Sequence, residues 1–207
     1  MKIIQSPFYC EPLTSRIHNK RDIQSFTIDR EEKYRSLETI VGLEAYLKRC
    51  AWDDDKDGYV RIYLVKEVLT NAIVAYFGLK AGELCVGDSN DFHVDKATGE
   101  KHTREVIPAV EISHFAVNDE YRRKREQKGK PINRLGELIF PAFIEEIIQR
   151  AKDMIGVKIV YLFAAGDEPL QRYYQERFGF SKRILDDEIV PMIPNYDNGC
   201  VFMYKTI

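Results

Sequence analysis

The segment Val106–Arg150 is the most informative part of the sequence for predicting the fold. It reads VIPAVEISHFAVNDEYRRKREQKGKPINRLGELIFPAFIEEIIQR. Its first part, up to about Val117, is rich in β-branched and other apolar residues and is typical of a strand. A basic, polar stretch over 118–134 follows and predicts a long surface loop. From Leu135 to about Met154, apolar residues recur at steps of three and four, which predicts a helix.

Further strands and helices are predicted on both sides of this segment. Residues 1–36 show no clear period and form an N-terminal segment. The other predicted elements are a helix at Leu37–Trp52, strands at Tyr59–Val68 and Ala72–Leu79 joined by a turn, a polar surface excursion at 82–104, a strand at Val157–Ala164, a helix from Pro169 to Gly179 and a last strand at Cys200–Thr206. This order predicts an α/β protein with a mixed sheet, in a single domain over residues 1–207.

An acidic run, Asp53-Asp54-Asp55-Lys56-Asp57-Gly58, matches the opening of a calcium-binding loop. The twelfth position of such a loop supplies a bidentate Glu, and here that position is Leu64. The four cysteines and four histidines show no metal-ligand spacing. We therefore predict an acidic turn that ends the preceding helix, and no metal site.

The composition limits the classes of function. The chain has 207 residues, with 31 Lys and Arg against 33 Asp and Glu, so its formal net charge is −2. This charge does not favour a protein that binds DNA over its whole surface. The longest apolar stretch is too short to span a bilayer, the N-terminus lacks an apolar signal region, and the cysteines suggest no disulfide framework. We expect a cytoplasmic protein that binds neither DNA nor a membrane.

The start of the predicted helix, Arg134-Leu135-Gly136-Glu137, has the properties of an anion site. Between Arg122 and Arg134 lie seven basic residues and one acidic residue. A helix N-terminus presents backbone N–H groups and the positive end of the helix dipole, which favour phosphate. Gly136 would let a bulky anion approach the backbone closely. The alternative is a solvated basic loop before an ordinary helix.

Three segments resemble the GNAT superfamily of acetyl-CoA-dependent N-acetyltransferases. Glu111–Val117 is similar to the family's central strand, Asn133–Phe140 to its pyrophosphate-binding turn and helix, and Tyr173–Phe180 to the signature before its closing hairpin. Together they extend the resemblance over about 37–207.

The pyrophosphate turn departs from the family pattern in two places. Gly136 matches the last small residue, but Arg134 stands where Gly is usual, and Pro131 stands where Gln or Arg is usual. The loop before it is also longer than usual, which leaves the alignment within 118–134 open.

The resemblance implies a GNAT-like α/β (α+β) fold, with a mixed, mostly antiparallel twisted sheet flanked by helices. It also implies acetyl-CoA as co-substrate, with the backbone of Phe115, Ala116 and Val117 meeting the pantetheine arm as an added strand would. The groups implied for the phosphates are the backbone N–H groups of Leu135, Gly136 and Glu137 and the side chains of Arg122, Arg123 and Arg134.

Acetyl transfer by direct attack requires the amine to lose a proton and the CoA thiolate to gain one. In the histone-acetylating branch of the superfamily, a glutamate six residues before the strand's final valine is the base, and Glu111 has that offset from Val117. A carboxylate among apolar strand residues is a stronger base, although a solvent-facing position near an edge is the alternative.

Tyr174 would protonate the thiolate, unless it is only a half-buried aromatic residue. Tyr173 is its rival, because the spacing to the following Gly-Phe is one residue longer than in the family. We expect His114 to be a packed core residue.

The resemblance implies a primary amine as acceptor and leaves open whether it belongs to a small molecule, a peptide or an aminoacyl group. The front half has a narrower resemblance to GNAT toxins that acetylate aminoacyl-tRNA, carried by His18, Phe26, Leu43–Leu47, Arg61-Ile62-Tyr63 and Ile107-Pro108. An α-amino group has a pKa of about 8, so that reaction needs no strong base. The net charge does not favour tRNA as a partner. A non-catalytic domain that binds CoA or a protein is the remaining alternative, and a homodimer stays open.

Overall fold

The strands form one mixed sheet and a separate hairpin. This computed structural model describes residues 2–29, 42–86, 93–94, 97–99, 101–102, 105–129, 134–182, 190–191 and 199–207. The strands are β1 (Ile3–Gln5), β2 (Phe8–Pro12), β3 (Arg61–Glu67), β4 (Ile73–Val86), β5 (His93–Val94), β6 (Lys101–His102), β7 (Glu105–Val117), β8 (Ile159–Ala165), β9 (Val190–Pro191) and β10 (Cys200–Thr206). The order in the main sheet is β1-β2-β3-β4-β7-β8-β10, with β9 beside β4, and β5 pairs with β6. The β7–β8 pair is parallel, whereas β1–β2, β2–β3, β3–β4 and β8–β10 are antiparallel. The predicted mixed α/β sheet is confirmed.

Helices connect these strands. They are α1 (Asn19–Asp22), α2 (Leu43–Arg49), α3 (Ala51–Asp57), α4 (Asp119–Gln127), α5 (Leu135–Ile139), α6 (Glu146–Ile155) and α7 (Glu168–Phe178). A π-helical turn, Phe140–Glu145, joins α5 to α6. Pro141 lies in that turn and has no N–H to donate, which disfavours a regular α-helical ladder there. The helix predicted from Leu135 to about Met154 is thus confirmed, with one wide turn inside it.

Two strands, β1 and β2, lie in the N-terminal segment, where the sequence shows no clear period. The hydropathy pattern does not reveal β2, because charged residues are buried on β2 and on its neighbour β3. The Lys66 side chain is fully buried, and its ammonium lies 3.2 Å from the Glu11 carboxylate, which is also buried. Each charge offsets the desolvation of the other, and hydropathy alone does not detect such a pairing.

The predicted acidic turn is wrong, because residues 53–55 lie in α3. Acidic side chains in a first turn interact favourably with the helix dipole. Asp55 is buried and accepts hydrogen bonds from the backbone N–H groups of Thr14, at 3.2 Å, and Ile62, at 2.9 Å. The helix instead ends at Gly58, whose φ of 84° is left-handed. Of the helix predicted at Leu37–Trp52, the first five residues lie outside the described part of the chain.

The prediction of a loop over 118–134 is also wrong for Asp119–Gln127, which form α4. The Asn118 side chain caps this helix by accepting from the N–H of Glu120, at 3.1 Å. Basic side chains pair with acidic ones three or four positions earlier, as Arg122 does with Asp119 at 3.1 Å. Such pairs stabilise a helix of polar composition, which the sequence suggested was a loop. Residues 130–133 lie outside the described part.

The predicted surface excursion at 82–104 is wrong at its start. Strand β4 continues to Val86, and Leu84 and Cys85 are buried. The β5–β6 hairpin lies further along, and the other positions of this stretch, apart from 97–99, are not described. None of the helices in the described ranges is long and apolar enough to cross a membrane.

The chain divides into two compact units. The first comprises Met1–Lys80 and Ile112–Ile148, and the second comprises Ala81–Glu111 and Gln149–Ile207. The first core contains Leu13, Phe26, Leu47, Ile62, Tyr76 and Ala116. The second core contains Leu84, Ile107, Ala109, Ile159, Tyr161 and Tyr204. The single-domain organisation stays a prediction.

Candidate active site

The end of β7 carries the residues expected to meet pantetheine. Ala116 is buried, and its two neighbours are half-buried. The Phe115 ring packs edge-on against Phe140, with 5.7 Å between ring centroids. The parallel ladder between β7 and β8 is three residue pairs long and ends at Glu111. Residues 115–117 therefore lie beyond the ladder.

The turn before α5 has an unusual backbone conformation. Arg134 has φ 58° and ψ 41°, in the left-handed region that Gly adopts most readily. The N–H of Glu137 donates to the Arg134 carbonyl at 2.9 Å, so this N–H is already engaged within the helix. For the N–H groups of Leu135 and Gly136, no acceptor lies within the part of the chain that the structure describes. Two of the three predicted phosphate-binding N–H groups thus remain as candidates.

Each arginine expected near the phosphates lies beside a carboxylate. Arg122 pairs with Asp119, as described above. Arg123 lies 2.9 Å from the Glu120 carboxylate, and Arg134 lies 3.5 Å from that of Glu137. All three side chains are partly or largely exposed, so these pairs hold them only weakly. The local positive charge is smaller than the sequence of 122–134 suggested.

Glu111 lies in the second unit and is only 7% exposed, so the solvent-facing alternative is wrong. The Tyr161 hydroxyl donates to its Oε2 at 3.2 Å. Tyr161 is also the β8 residue that pairs with Glu111 in the ladder. Sequence analysis missed Tyr161, since an aromatic residue inside an apolar strand carries no sign of a polar contact.

Tyr174 is buried in an aromatic cluster of the second unit. Its ring centroid lies 6.0 Å from that of Phe178 and 5.9 Å from that of Phe180. Burial raises the pKa of the Tyr174 hydroxyl above its ordinary value, and the neighbouring Tyr173 raises it further. Tyr173 is half-buried, with its ring 5.2 Å from Phe178. The hydroxyl of Tyr174 therefore keeps its proton at neutral pH.

His114 packs in the first unit, as expected of a core histidine. Its ring stacks on Tyr46, with centroids 3.7 Å apart and planes 9° apart. Its Nδ1 lies 3.0 Å from the Ser113 hydroxyl. Burial lowers the pKa of His114 from 6.5 to about 3, and the charge of Lys80 lowers it further. The imidazole is therefore neutral at physiological pH.

No family model and no curated protein matches the sequence. Solved structures do match. AtaTR bound with acetyl-CoA has a TM-score of 0.61 at 15% identity, covering 98% of this chain and 95% of that chain. A tyrosine-to-phenylalanine mutant of KacT has a TM-score of 0.57 at 14% identity, covering 97% and 95%. AtaT complexed with acetyl-methionyl-tRNAfMet has a TM-score of 0.55 at 16% identity, covering 89% and 94%.

The chain therefore shares the fold of these proteins, which are GNAT-type acetyltransferases. Within that class the chain resembles the toxin branch, represented by AtaT and KacT. At these identities the likeness concerns the fold alone.

The neighbours also bear on the expected partners. A KacTA–DNA complex is among them, so the expectation that DNA plays no part finds no support.

Within the described residues, no group of three His, Cys, Asp or Glu side chains could hold a metal ion.

The buried imidazole predicts a pH dependence of stability. Because the pKa of His114 is about 3 when folded and 6.5 when unfolded, the unfolded chain binds an extra proton between these values. Stability should therefore fall as the pH falls through this window. His114→Phe keeps an aromatic ring against Tyr46 but does not titrate. Between pH 7 and pH 5 the wild type should lose on the order of 2 kcal/mol more than His114→Phe in free energy of unfolding.

Urea unfolding of both proteins at each pH measures this difference. Parallel losses in wild type and variant would contradict it.

Proposed function

We propose that this protein transfers the acetyl group of acetyl-CoA to a primary amine. The observation that carries the proposal is the turn at Arg134, which precedes the N–H groups of Leu135 and Gly136 at the start of a helix. Such groups favour a pyrophosphate through hydrogen bonds and through the helix dipole. The fold supports the same proposal, because AtaT-type neighbours were solved with acetyl-CoA.

The end of β7 supplies the second part of the proposed cofactor site. Phe115, Ala116 and Val117 lie beyond the ladder with β8, and an extended pantetheine arm would add to their backbone as a short strand does. Arg122, Arg123 and Arg134 would meet the remaining phosphate charge, each exchanging a partly buried carboxylate partner for a phosphate.

The chemistry requires two proton transfers. The amine nitrogen attacks the thioester carbonyl, an N–C bond forms, and the C–S bond breaks to release the thiolate. Glu111 would accept the proton that the amine loses. Tyr174, which keeps its proton at neutral pH, would donate to the departing sulfur. Tyr173, which is the less buried of the pair, is the alternative donor.

A second candidate concerns the acceptor, namely the α-amino group of an aminoacyl-tRNA. It is favoured by the likeness to AtaT, which was solved with acetyl-methionyl-tRNAfMet. An α-amino group is partly unprotonated at neutral pH, and Glu111 would then be dispensable. The net charge of −2 weighs against it, since tRNA binding depends on phosphate contacts. The third possibility, a non-catalytic domain that binds CoA or a protein, predicts binding without turnover.

Calorimetric titration of acetyl-CoA tests the cofactor site. Gly136 is buried in the first turn of α5, so Gly136→Asp should place a carboxylate against the pyrophosphate. We expect binding of the wild type to be micromolar and that of the variant to be at least about ten-fold weaker.

Leu138→Asp is the matched control, because it adds the same charge two residues later at a side chain that is 51% exposed. It should bind nearly as the wild type does. Lack of binding by the wild type, or equal binding by Gly136→Asp, would refute the proposed site.

Conservative tyrosine variants test the proposed acid. Tyr174→Phe should lower kcat by about 100-fold and leave the KM for acetyl-CoA nearly unchanged, since only the hydroxyl is removed. Tyr173→Phe is the matched control and should retain the wild-type rate. Steady-state release of free CoA is the measurement. The reverse pattern would assign the role to Tyr173, and full activity in both variants would remove a tyrosine from the mechanism.

An acceptor panel separates the two candidate functions. Small amines and peptides are compared with charged tRNA, and uncharged tRNA serves as the control because it has no free α-amino group. If aminoacyl-tRNA is the acceptor, only the charged form should be acetylated, and expression should arrest cell growth. Acetyl-CoA binding without any transfer would favour the non-catalytic domain.

A further inference from the structure

One buried polar contact in the second unit has no role in the chemistry above. Glu111 and Tyr161 are the last pair of the parallel ladder between β7 and β8, and both side chains are buried. The Tyr161 hydroxyl donates to Oε2 of Glu111 at 3.2 Å. A hydrogen bond from a neutral donor stabilises the charged form of a carboxylate and restricts its orientation.

Gly82 on β4 provides the space for this phenol. A Cβ at position 82 would lie 2.5 Å from the Tyr161 hydroxyl oxygen and 2.7 Å from the ring carbon Cε1. Carbon atoms do not approach an oxygen so closely without displacement, so a larger residue would move the ring or the strand. Three strands therefore contribute to the contact: β7 provides the carboxylate, β8 the hydroxyl and β4 the space.

Apolar residues lie close to Glu111 along β7. By the two-residue period of β7, Glu111 shares a face with Ile107 and Ala109, which belong to the second core. Tyr161 belongs to the same core, and its hydroxyl makes a polar contact with the Glu111 carboxylate.

We propose that Tyr161 is a positioning residue for Glu111, directing its carboxylate towards the amine acceptor. The inference rests on the proposed function, in which Glu111 accepts the proton of the amine. A glutamate side chain has several rotamers, and a general base must lie within hydrogen-bond reach of the proton it takes. Tyr161 keeps its own proton throughout, and the proton of the amine moves to the Glu111 carboxylate.

Tyr161→Phe tests the inference, with Tyr204→Phe as the matched control from the same core. We expect Tyr161→Phe to lower kcat about ten-fold and leave the KM for acetyl-CoA unchanged. The acidic limb of the rate–pH profile should move about one unit to higher pH, because the hydrogen bond that stabilised the carboxylate is lost. Tyr204→Phe should leave the profile in place. Gly82→Ala keeps Tyr161 but crowds its hydroxyl, so it should shift the acidic limb of the profile in the same direction. This variant also tests the inference if Tyr161→Phe does not fold.

A double-mutant cycle with Glu111→Gln separates positioning from a general loss of structure. Tyr161→Phe should lower the rate no further in the Glu111→Gln background. An unmoved pH profile in both Tyr161→Phe and Gly82→Ala, or an equal loss in the Glu111→Gln background, would overturn the inference. Failure of the proposed function is distinct, because the wild type would then transfer no acetyl group to any amine.

Discussion

The short parallel ladder between β7 and β8 is the constraint on which the candidate site depends. Its three residue pairs end at Glu111 and Tyr161, so the last level of the ladder contains both a buried carboxylate and the hydroxyl that binds it. Backbone N–H and C=O groups must find partners wherever they are buried. Beyond the ladder, residues 115–117 would offer such groups to the pantetheine arm in the proposed cofactor site.

Charge pairing changes how the basic segment is understood. The sequence over 122–134 suggests a strongly positive loop, but α4 places its arginines next to Asp119 and Glu120. These pairs stabilise the helix and reduce the net field that a phosphate would meet. In the proposed cofactor site, recognition of pyrophosphate would then depend more on the backbone of Leu135 and Gly136 than on side chains. The same reduction weakens the case for a broad RNA-binding surface.

Elements with a simple apolar pattern could be predicted from the sequence. The strands Ile159–Ala165 and Cys200–Thr206 have β-branched and aromatic residues, and Gly179, with φ 71°, ends α7 as predicted. Elements stabilised by polar contacts distant in sequence were missed. Strand β2 was missed because it contains Glu11, a charged residue that is buried through its pairing with Lys66. The acidic run at 53–55 was not predicted as helical, because the contacts of Asp55 with Thr14 and Ile62 are not visible in the sequence. For the site, the candidate residues could be named, but the contact of Glu111 with Tyr161 depends on strand register.

Arg134 shows why a departure from a family motif need not remove the function. The family usually has Gly at this position, and Arg134 nevertheless adopts the left-handed backbone that Gly adopts most readily. For a residue with a Cβ this conformation costs about 1 kcal/mol, so the surrounding structure must compensate. Leu135 and Gly136 are buried, and the Glu137 N–H donates to the Arg134 carbonyl, which are contacts that favour this conformation. The substitution therefore adds a side chain without excluding a backbone conformation that Gly adopts most readily. The departure at Arg134 by itself then does not favour the non-catalytic alternative.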